Sequence, residues 1–376
     1  MKIVIAPDSF KESMTALKAA EAIKKGINEA LPDAQTLLVP MADGGEGTVQ
    51  ALIDSTSGSI INIKVNDPLM RKIQSNFGIL GDNNTAIIEM AAASGIEHLT
   101  ESEKNPAITS TFGAGELIRA AINMGCTSII VGIGGSATND GGSGMMLALG
   151  AKFRDHSGKE FSPKGGYDLE KIIEIDLTEL NRNIKGIKFI IASDVNNPLL
   201  RNTGASRVFG PQKGAGTEMV KQLEKNMNYY ANLIENLTDK KLRDYPGAGA
   251  AGGLGFGMMA ILNANLSPGF NIVAKLTGIE LKIQKADLVI TGEGKIDGQT
   301  HHGKTPWGVA SLAKKHKVPV IAFAGQVRDN AAHLYKNEFK DIIEISNANI
   351  DLKTALKQGS QNLYKAVIKY FEKGWS

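Results

Sequence analysis

Acidic residues, lysines and glycines crowd one stretch of this chain, residues 291–305 (TGEGKIDGQTHHGKT), directly behind the apolar run 286–290. Glu293 and Asp297 bring two carboxylates into it, beside Lys295, Lys304 and two histidines. Lys304 offers a positive charge to a phosphate, and Gly292 and Gly294 have no side chain to keep a ligand off the backbone. Residues 298–305 also match the phosphate-loop pattern G-x-x-x-x-G-K-[ST] in full. A phosphate loop begins almost where a buried strand ends, so that its N–H groups face the phosphates. Here the strand is expected to end near Thr291, well short of Gly298, and the match alone leaves open which kind of phosphate site this is. His301 and His302 are adjacent and point apart in most backbone conformations, so they are read as incidental or as minor substrate contacts, not as a zinc pair.

Other loops carry similar chemistry. Asp8, Ser9 and Lys11 follow the apolar run 2–6, and Asp43 and Gly44 follow a second strand. A lone Asp or Ser after a strand can equally cap the next helix, and that alternative stays open for Asp8, Ser9 and Asp43. The loop 132–142, GIGGSATNDGG, makes a poor mere connector. Its Gly134, Gly135, Ser136, Ala137, Thr138, Asn139 and Asp140 would present bare N–H groups and hydroxyls at the start of a helix expected over 143–149, which suits phosphate or a small anion. Asp194 comes just after the apolar run 188–192, with Pro198 fixing the loop beyond. Such a carboxylate can accept a proton from a hydroxyl or hold Mg2+, with an Asx-turn as the alternative. The run 247–255, GAGAAGGLG, serves ligand approach and close helix packing equally well.

The elements that position these loops follow from periodicity. Residues 2–6 read as a buried strand, 15–31 as an amphipathic helix, 36–40 as a strand and 48–53 as a helix. A polar joint at 55–58 ends that pattern. Alternation over 61–66 and 73–79, then the run 86–90, predicts an antiparallel meander. A helix over 111–124, strands at 128–132 and 188–192, and helices ending near 237 and 263 follow. From 286 the first pattern returns, with strands at 288–291, 318–323 and 342–345 and helices at 306–316, 330–334 and 352–371. Two β-α units at one end and three at the other would complete a five-stranded parallel sheet, which makes the fold α/β: a doubly wound domain of 1–57 plus 286–376, interrupted by an inserted α/β domain of 58–285. In a 2-1-3-4-5 strand order the first and third strands are neighbours, so the segments 8–11 and 291–294 would line one crevice, with the ligand site in the cleft between the two domains.

Composition narrows the function classes. The chain has 376 residues and a net charge of +3, with Lys and Arg dispersed, which gives nucleic-acid binding no support. The one cysteine, Cys126, lies beside an apolar run and reads as a core residue; the absence of any internal disulfide agrees with a cytoplasmic location. No run reaches the length of a membrane span. The 42 glycines fall in clusters, as one site assembled from several loops would require.

The segments PDSFKES, ADGGEGT, GGSATNDGG, ASDVNNPL, GAGAAGGLGFG and TGEGKIDGQTHHGKTPWGVA, in this order, resemble the bacterial glycerate kinases of the first type, from the N-terminus to at least Gly325. That resemblance implies a flavodoxin-like domain interrupted by an α/β domain resembling restriction endonucleases. The implied activity is transfer of the γ-phosphoryl group of ATP to D-glycerate with Mg2+, giving 2-phosphoglycerate in preference to 3-phosphoglycerate. It implies Asp194 as general base, Lys11 at the glycerate carboxylate or the transferring phosphoryl group, and Glu293 and Asp297 at Mg2+. It further implies residues 134–138 at phosphate or glycerate, and Gly292, Gly294 and Lys304 near the nucleotide. The partners implied are small molecules, with no nucleic acid and no membrane, and a homo-oligomer is compatible. Two other classes compete: a non-catalytic two-lobed sensor of glycerate or a sugar phosphate, and a P-loop NTPase using 298–305. A nicotinamide-dependent dehydrogenase lacks its G-x-G-x-x-G at the first helix.

Overall fold

A computed structural model describes residues 1–45, 47–298, 300, 304–328, 331, 337–346 and 351–374. The chain forms a mixed α/β structure with parallel sheets, divided into two compact units: Met1–Asp43, Gln50–Ser57 and Pro268–Ser376 in the first, Gly44–Val49 and Gly58–Ser267 in the second.

The first unit is built on a five-stranded parallel sheet, ordered Asp341–Glu344, Val320–Val327, Leu288–Ile296, Lys2–Ile5, Gln35–Leu38. In chain order this is 2-1-3-4-5, so the first and third strands pair, with Ile3 opposite Leu288 and Ile5 opposite Ile290. Ile3, Ile5, Leu288, Ile290 and Phe323 are all but inaccessible and meet the apolar face of the helix Ala16–Ala30, which offers Ala19, Ala20, Ile23 and Ile27. Thr15 caps that helix through its hydroxyl, which accepts from the Lys18 N–H at 3.3 Å. The expected C-terminal helix is two helices, Leu352–Lys357 and Gly359–Glu372. The break falls at Gln358, and a Cβ on Gly359, which opens the second helix, would stand 2.1 Å from Ser13 Oγ. The helix expected over 330–334 lies almost wholly outside the described residues.

The third strand departs from expectation in a way that matters to the site. It runs on through Thr291 to Ile296, with Gly292 opposite Phe323, Glu293 opposite Ala324 and Ile296 opposite Val327. Glycine-rich TGEGK reads as a strand end by propensity, but here glycine is what lets the ladder continue. A Cβ on Gly292 would lie 2.3 Å from the Phe323 carbonyl oxygen, and one on Gly325 would lie 2.5 Å from that of Gly294. Only Asp297 therefore separates the strand from Gly298, and the spacing that set the phosphate-loop pattern aside does not hold.

The first unit's last segment begins at Pro268 and not at 286. The helices Gly269–Thr277 and Ile279–Ile283 belong to it because they pack beside the helix Thr305–Lys315. A Cβ on Gly308 would meet the Phe270 ring at 2.5 Å, and the Thr277 hydroxyl faces Met41 Sδ at 3.7 Å. The hexapeptide Gly44–Val49 goes with the second unit, where the Val49 N–H donates to Glu89 at 3.0 Å.

The second unit holds a six-stranded sheet ordered Asn265–Ser267, Lys188–Ala192, Ser128–Gly132, Thr85–Glu89, Lys72–Ile79, Ser59–Asn66. The last three form the antiparallel meander and the rest pair in parallel. Its core collects Phe77, Phe153, Phe189, Tyr230 and Phe256, with Cys126 buried among them. A small antiparallel sheet of Lys152–Arg154, Glu160–Phe161 and Glu174–Asp176 was not anticipated, because its strands are too short for an alternation to register. Among the described residues no helix is long and apolar enough to cross a membrane.

Candidate active site

The carboxyl ends of the first and third strands carry the acidic groups. The Asp8 N–H donates to the Gly292 carbonyl at 2.8 Å, and a Cβ on Gly294 would sit 3.3 Å from the Lys11 backbone nitrogen, so segments 8–11 and 292–294 lie side by side. Asp8 is buried. It accepts from the Ser9 N–H and from the Thr305 hydroxyl at the first turn of the helix Thr305–Lys315, where a negative charge meets the positive end of the helix dipole. Asp8 thus sits against the first turn of that helix without capping a backbone N–H. Burial, reinforced by Asp43, nevertheless pushes its carboxyl up to about 7, against the lowering effect of those hydrogen bonds.

Glu293 is raised further, to about 8. Burial is the main cause, Lys304 opposes it, and Asp8 and Asp43 add to it. Its Oε1 accepts from the Thr300 hydroxyl at 3.3 Å and lies 3.8 Å from Lys304 Nζ. Asp297 is buried, 3.8 Å from the same ammonium and 2.9 Å from Lys295 Nζ. Lys304 therefore bridges two carboxylates from the N-cap of the helix, with Pro306 in the first turn. Lys11 is exposed, Ser9 and Asp43 are half-buried, and His301 and His302 lie outside the described residues.

The loop after Ser128–Gly132 differs from its sequence reading. Gly134 and Gly135 are exposed, with open space beside Gly134, but residues 136–142 are buried. Asp140 turns inward. Its carboxylate accepts from the Thr111 N–H and hydroxyl and from the N–H groups of Gly142 and Gly144, while the Thr111 hydroxyl takes the Met145 N–H. The start of the helix Ser143–Ala148, expected to meet an outside anion, is thus filled by the protein's own carboxylate. Burial raises the Asp140 carboxyl, and these bonds oppose the rise. Asn139 is equally enclosed, against Ser206 at 3.0 Å.

The glycine run 247–255 proves to be a packing device. Ala251, Gly252 and Gly253 adopt left-handed backbone angles at the start of Ala250–Ile261, and a Cβ on Gly252 would stand 2.0 Å from the Thr138 carbonyl oxygen. Asp194 is exposed just beyond the strand Lys188–Ala192, in a turn held by the Val195 N–H donating to Ser193 Oγ at 3.2 Å. Sequence reasoning passed over two residues, Thr305, which ties Asp8 to the helix, and Lys213, buried beneath Ser136 and Thr138. A single lysine in GPQKGAG looks like any exposed turn residue, and the glycine following it was the only available hint.

A model of the glycerate kinase family matches residues 3–372. The chain belongs to the glycerate kinase family. It is 47% identical to the glycerate kinase of Bacillus subtilis strain 168 over 96% of this chain and 94% of that protein. It is 46% identical to the glycerate 2-kinase of Escherichia coli K12, over 97% and 96% respectively. A crystal structure described as a candidate glycerate kinase 2 from Salmonella typhimurium LT2 superimposes with a TM-score of 0.91 at 44% identity, covering 99% of this chain and 98% of that one. Membership of the glycerate kinase family makes the protein an enzyme.

Proposed function

We propose that the protein transfers the γ-phosphoryl group of ATP to the 2-hydroxyl of D-glycerate. The observation that carries this reading is the pair of buried carboxyls at the carboxyl ends of the first and third strands, Asp8 and Glu293, the latter sharing the Lys304 ammonium with Asp297 and feeling the charges of Asp8 and Asp43. Phosphoryl transfer asks little covalent help of a protein and much neutralisation and alignment of anions. Two carboxyls held near 7 and 8 are acids that a cation would return to the ionised form. The preference for the 2-hydroxyl is supported by the likeness to the Escherichia coli glycerate 2-kinase.

Mg2+ fits this donor set. It binds commonly through one or two carboxylates together with substrate phosphates, and so needs no full protein cage. No three metal-ligating side chains converge among the described residues, while Glu293 and Asp297 supply two hard oxygen donors beside Lys304. When bound, Mg2+ would neutralise phosphate charge. Lys304 draws phosphate oxygens to the helix start, Gly292 and Gly294 let the nucleotide approach the backbone, and Lys11 pairs with the glycerate carboxylate or the moving phosphoryl group. Gly134, Gly135 and Ser136 bind an anionic oxygen of substrate, and Asp194 accepts the proton of the attacking hydroxyl. Within this reading the second unit keeps the likeness to restriction endonucleases that the resemblance implied.

The phosphate-loop alternative is not favoured, because the match over nearly the whole chain is to the glycerate kinase family. Replacing Asp194 by Asn tests the base: kcat falls about 10²- to 10⁴-fold while ATP affinity by calorimetry stays within a factor of two. Substantial turnover in that variant would remove Asp194 from the role.

A further inference from the structure

A buried lysine that the reaction above leaves unused underlies the loop after Ser128–Gly132. Lys213 is 2% exposed, and its Nζ donates at 2.7 Å to Ser136 Oγ and at 2.7 Å to the Thr138 carbonyl. It forms no ion pair with a described carboxylate. Burial pushes the Lys213 ammonium down to about 7, with the buried carboxylate of Asp140 opposing the fall, a desolvation cost that an apolar side chain would avoid if packing were the whole purpose.

The chain around it is built to keep that ammonium in place. Lys213 ends the short turn Pro211–Lys213, and Gly214 leaves it at a φ of 93°, where a Cβ would stand 2.2 Å from the Lys104 carbonyl oxygen. The loop above is strapped by the Ile96 N–H to Gly135, by the Ala137 N–H to Ser94 and by the Thr109 hydroxyl to Ala137. Lys213 is the one charged strap among these. Three of its features point outward to a ligand. Gly134 and Gly135 are exposed, Ser136 lies at the edge of the buried layer, and the Ser136 oxygen, already accepting from Lys213, keeps its own O–H to donate elsewhere. The Thr138 hydroxyl behind it is buried and has no hydrogen-bond partner among the described residues.

We infer that Lys213 is a positioning residue that fixes and polarises the Ser136 hydroxyl so that it donates to an anionic oxygen of substrate. The inference rests on the assignment of Gly134, Gly135 and Ser136 to substrate binding. The same chemistry serves a glycerate carboxylate or an ATP phosphate, and separate Michaelis constants distinguish them.

The test is a double-mutant cycle of Ser136→Ala and Lys213→Met, with kcat and both KM values measured and folding followed by Tm. Each single variant should raise the KM of one substrate, the same one, about tenfold, and leave the other within a factor of two. Lys213→Met added to Ser136→Ala should change little further, because one residue acts through the other. A rise in the glycerate KM assigns the carboxylate, and a rise in the ATP KM assigns a phosphate. If Ser136→Ala moves neither KM, the substrate-binding role of the loop fails and this inference with it. If Ser136→Ala raises a KM and Lys213→Met does not, or if the two effects simply add, the inference alone is overturned. Should Lys213→Met not fold, the slowly exchanging ammonium signal of Lys213 in ¹⁵N-lysine-labelled protein replaces it: it should shift on addition of the substrate that Ser136→Ala weakens, and an unmoved signal overturns the inference.

Discussion

At the scale of single residues, the account turns on acids that resist ionisation. The unfolded chain releases the Glu293 proton near the ordinary 4.5, and the folded chain releases it near 8. Between those values the folded state binds more protons, so stability falls as pH rises through the window. The Tm of the ligand-free protein should therefore decline from about pH 5 to about pH 8 more steeply than that of Glu293→Gln, and the difference between variant and parent should widen with pH in a fluorimetric melt. Parallel slopes would contradict the placement of Glu293. Added Mg2+ should raise the Tm more at pH 8 than at pH 6, where protons compete for the same oxygens, and this gain should shrink in Glu293→Gln. These acids were legible in the sequence as residue types after strands. Their raised proton affinity was not, because it comes from burial against Asp8 and Asp43, segments far apart in the chain.

At the scale of elements, local patterning located most strands and helices, and it failed where glycine had two meanings. TGEGK looked like a loop and is a strand, since its missing side chains admit the neighbouring strand's carbonyls. GGSATNDGG looked like an open anion loop and is open only at Gly134 and Gly135, since Asp140 fills the helix start behind it. GAGAAGGLG stayed undecided in sequence and is a left-handed turn pressed on Thr138 and Gly141. Periodicity reports which face of an element is apolar, but not which backbone comes close enough to forbid a Cβ. Gly252→Ala tests that contact. With a φ of 66° and a Cβ placed 2.0 Å from a backbone oxygen, it should destabilise the second unit by about 2 kcal/mol or more in urea unfolding. A change below about 0.5 kcal/mol would mean the loop is free to move away.

At the scale of the whole molecule, a five-stranded parallel sheet followed from two β-α units at one end of the chain and three at the other, while its 2-1-3-4-5 order was only one of the few topologies that parallel strands joined by helices leave open. The edges of the second segment did not follow: helices Gly269–Thr277 and Ile279–Ile283 carry no sign of which sheet they will serve. Family membership supplies the class of enzyme, and the site residues supply a chemistry consistent with it. The most direct test of the account is one coupled assay with purified protein, ATP, Mg2+ and D-glycerate, in which ADP release is followed and the product is offered to enolase without a phosphoglycerate mutase. The account predicts glycerate-dependent ADP release and immediate consumption of the product as 2-phosphoglycerate. Product consumed only after mutase is added would contradict the 2-hydroxyl assignment, and an absence of glycerate-dependent ADP release would contradict the kinase reading itself.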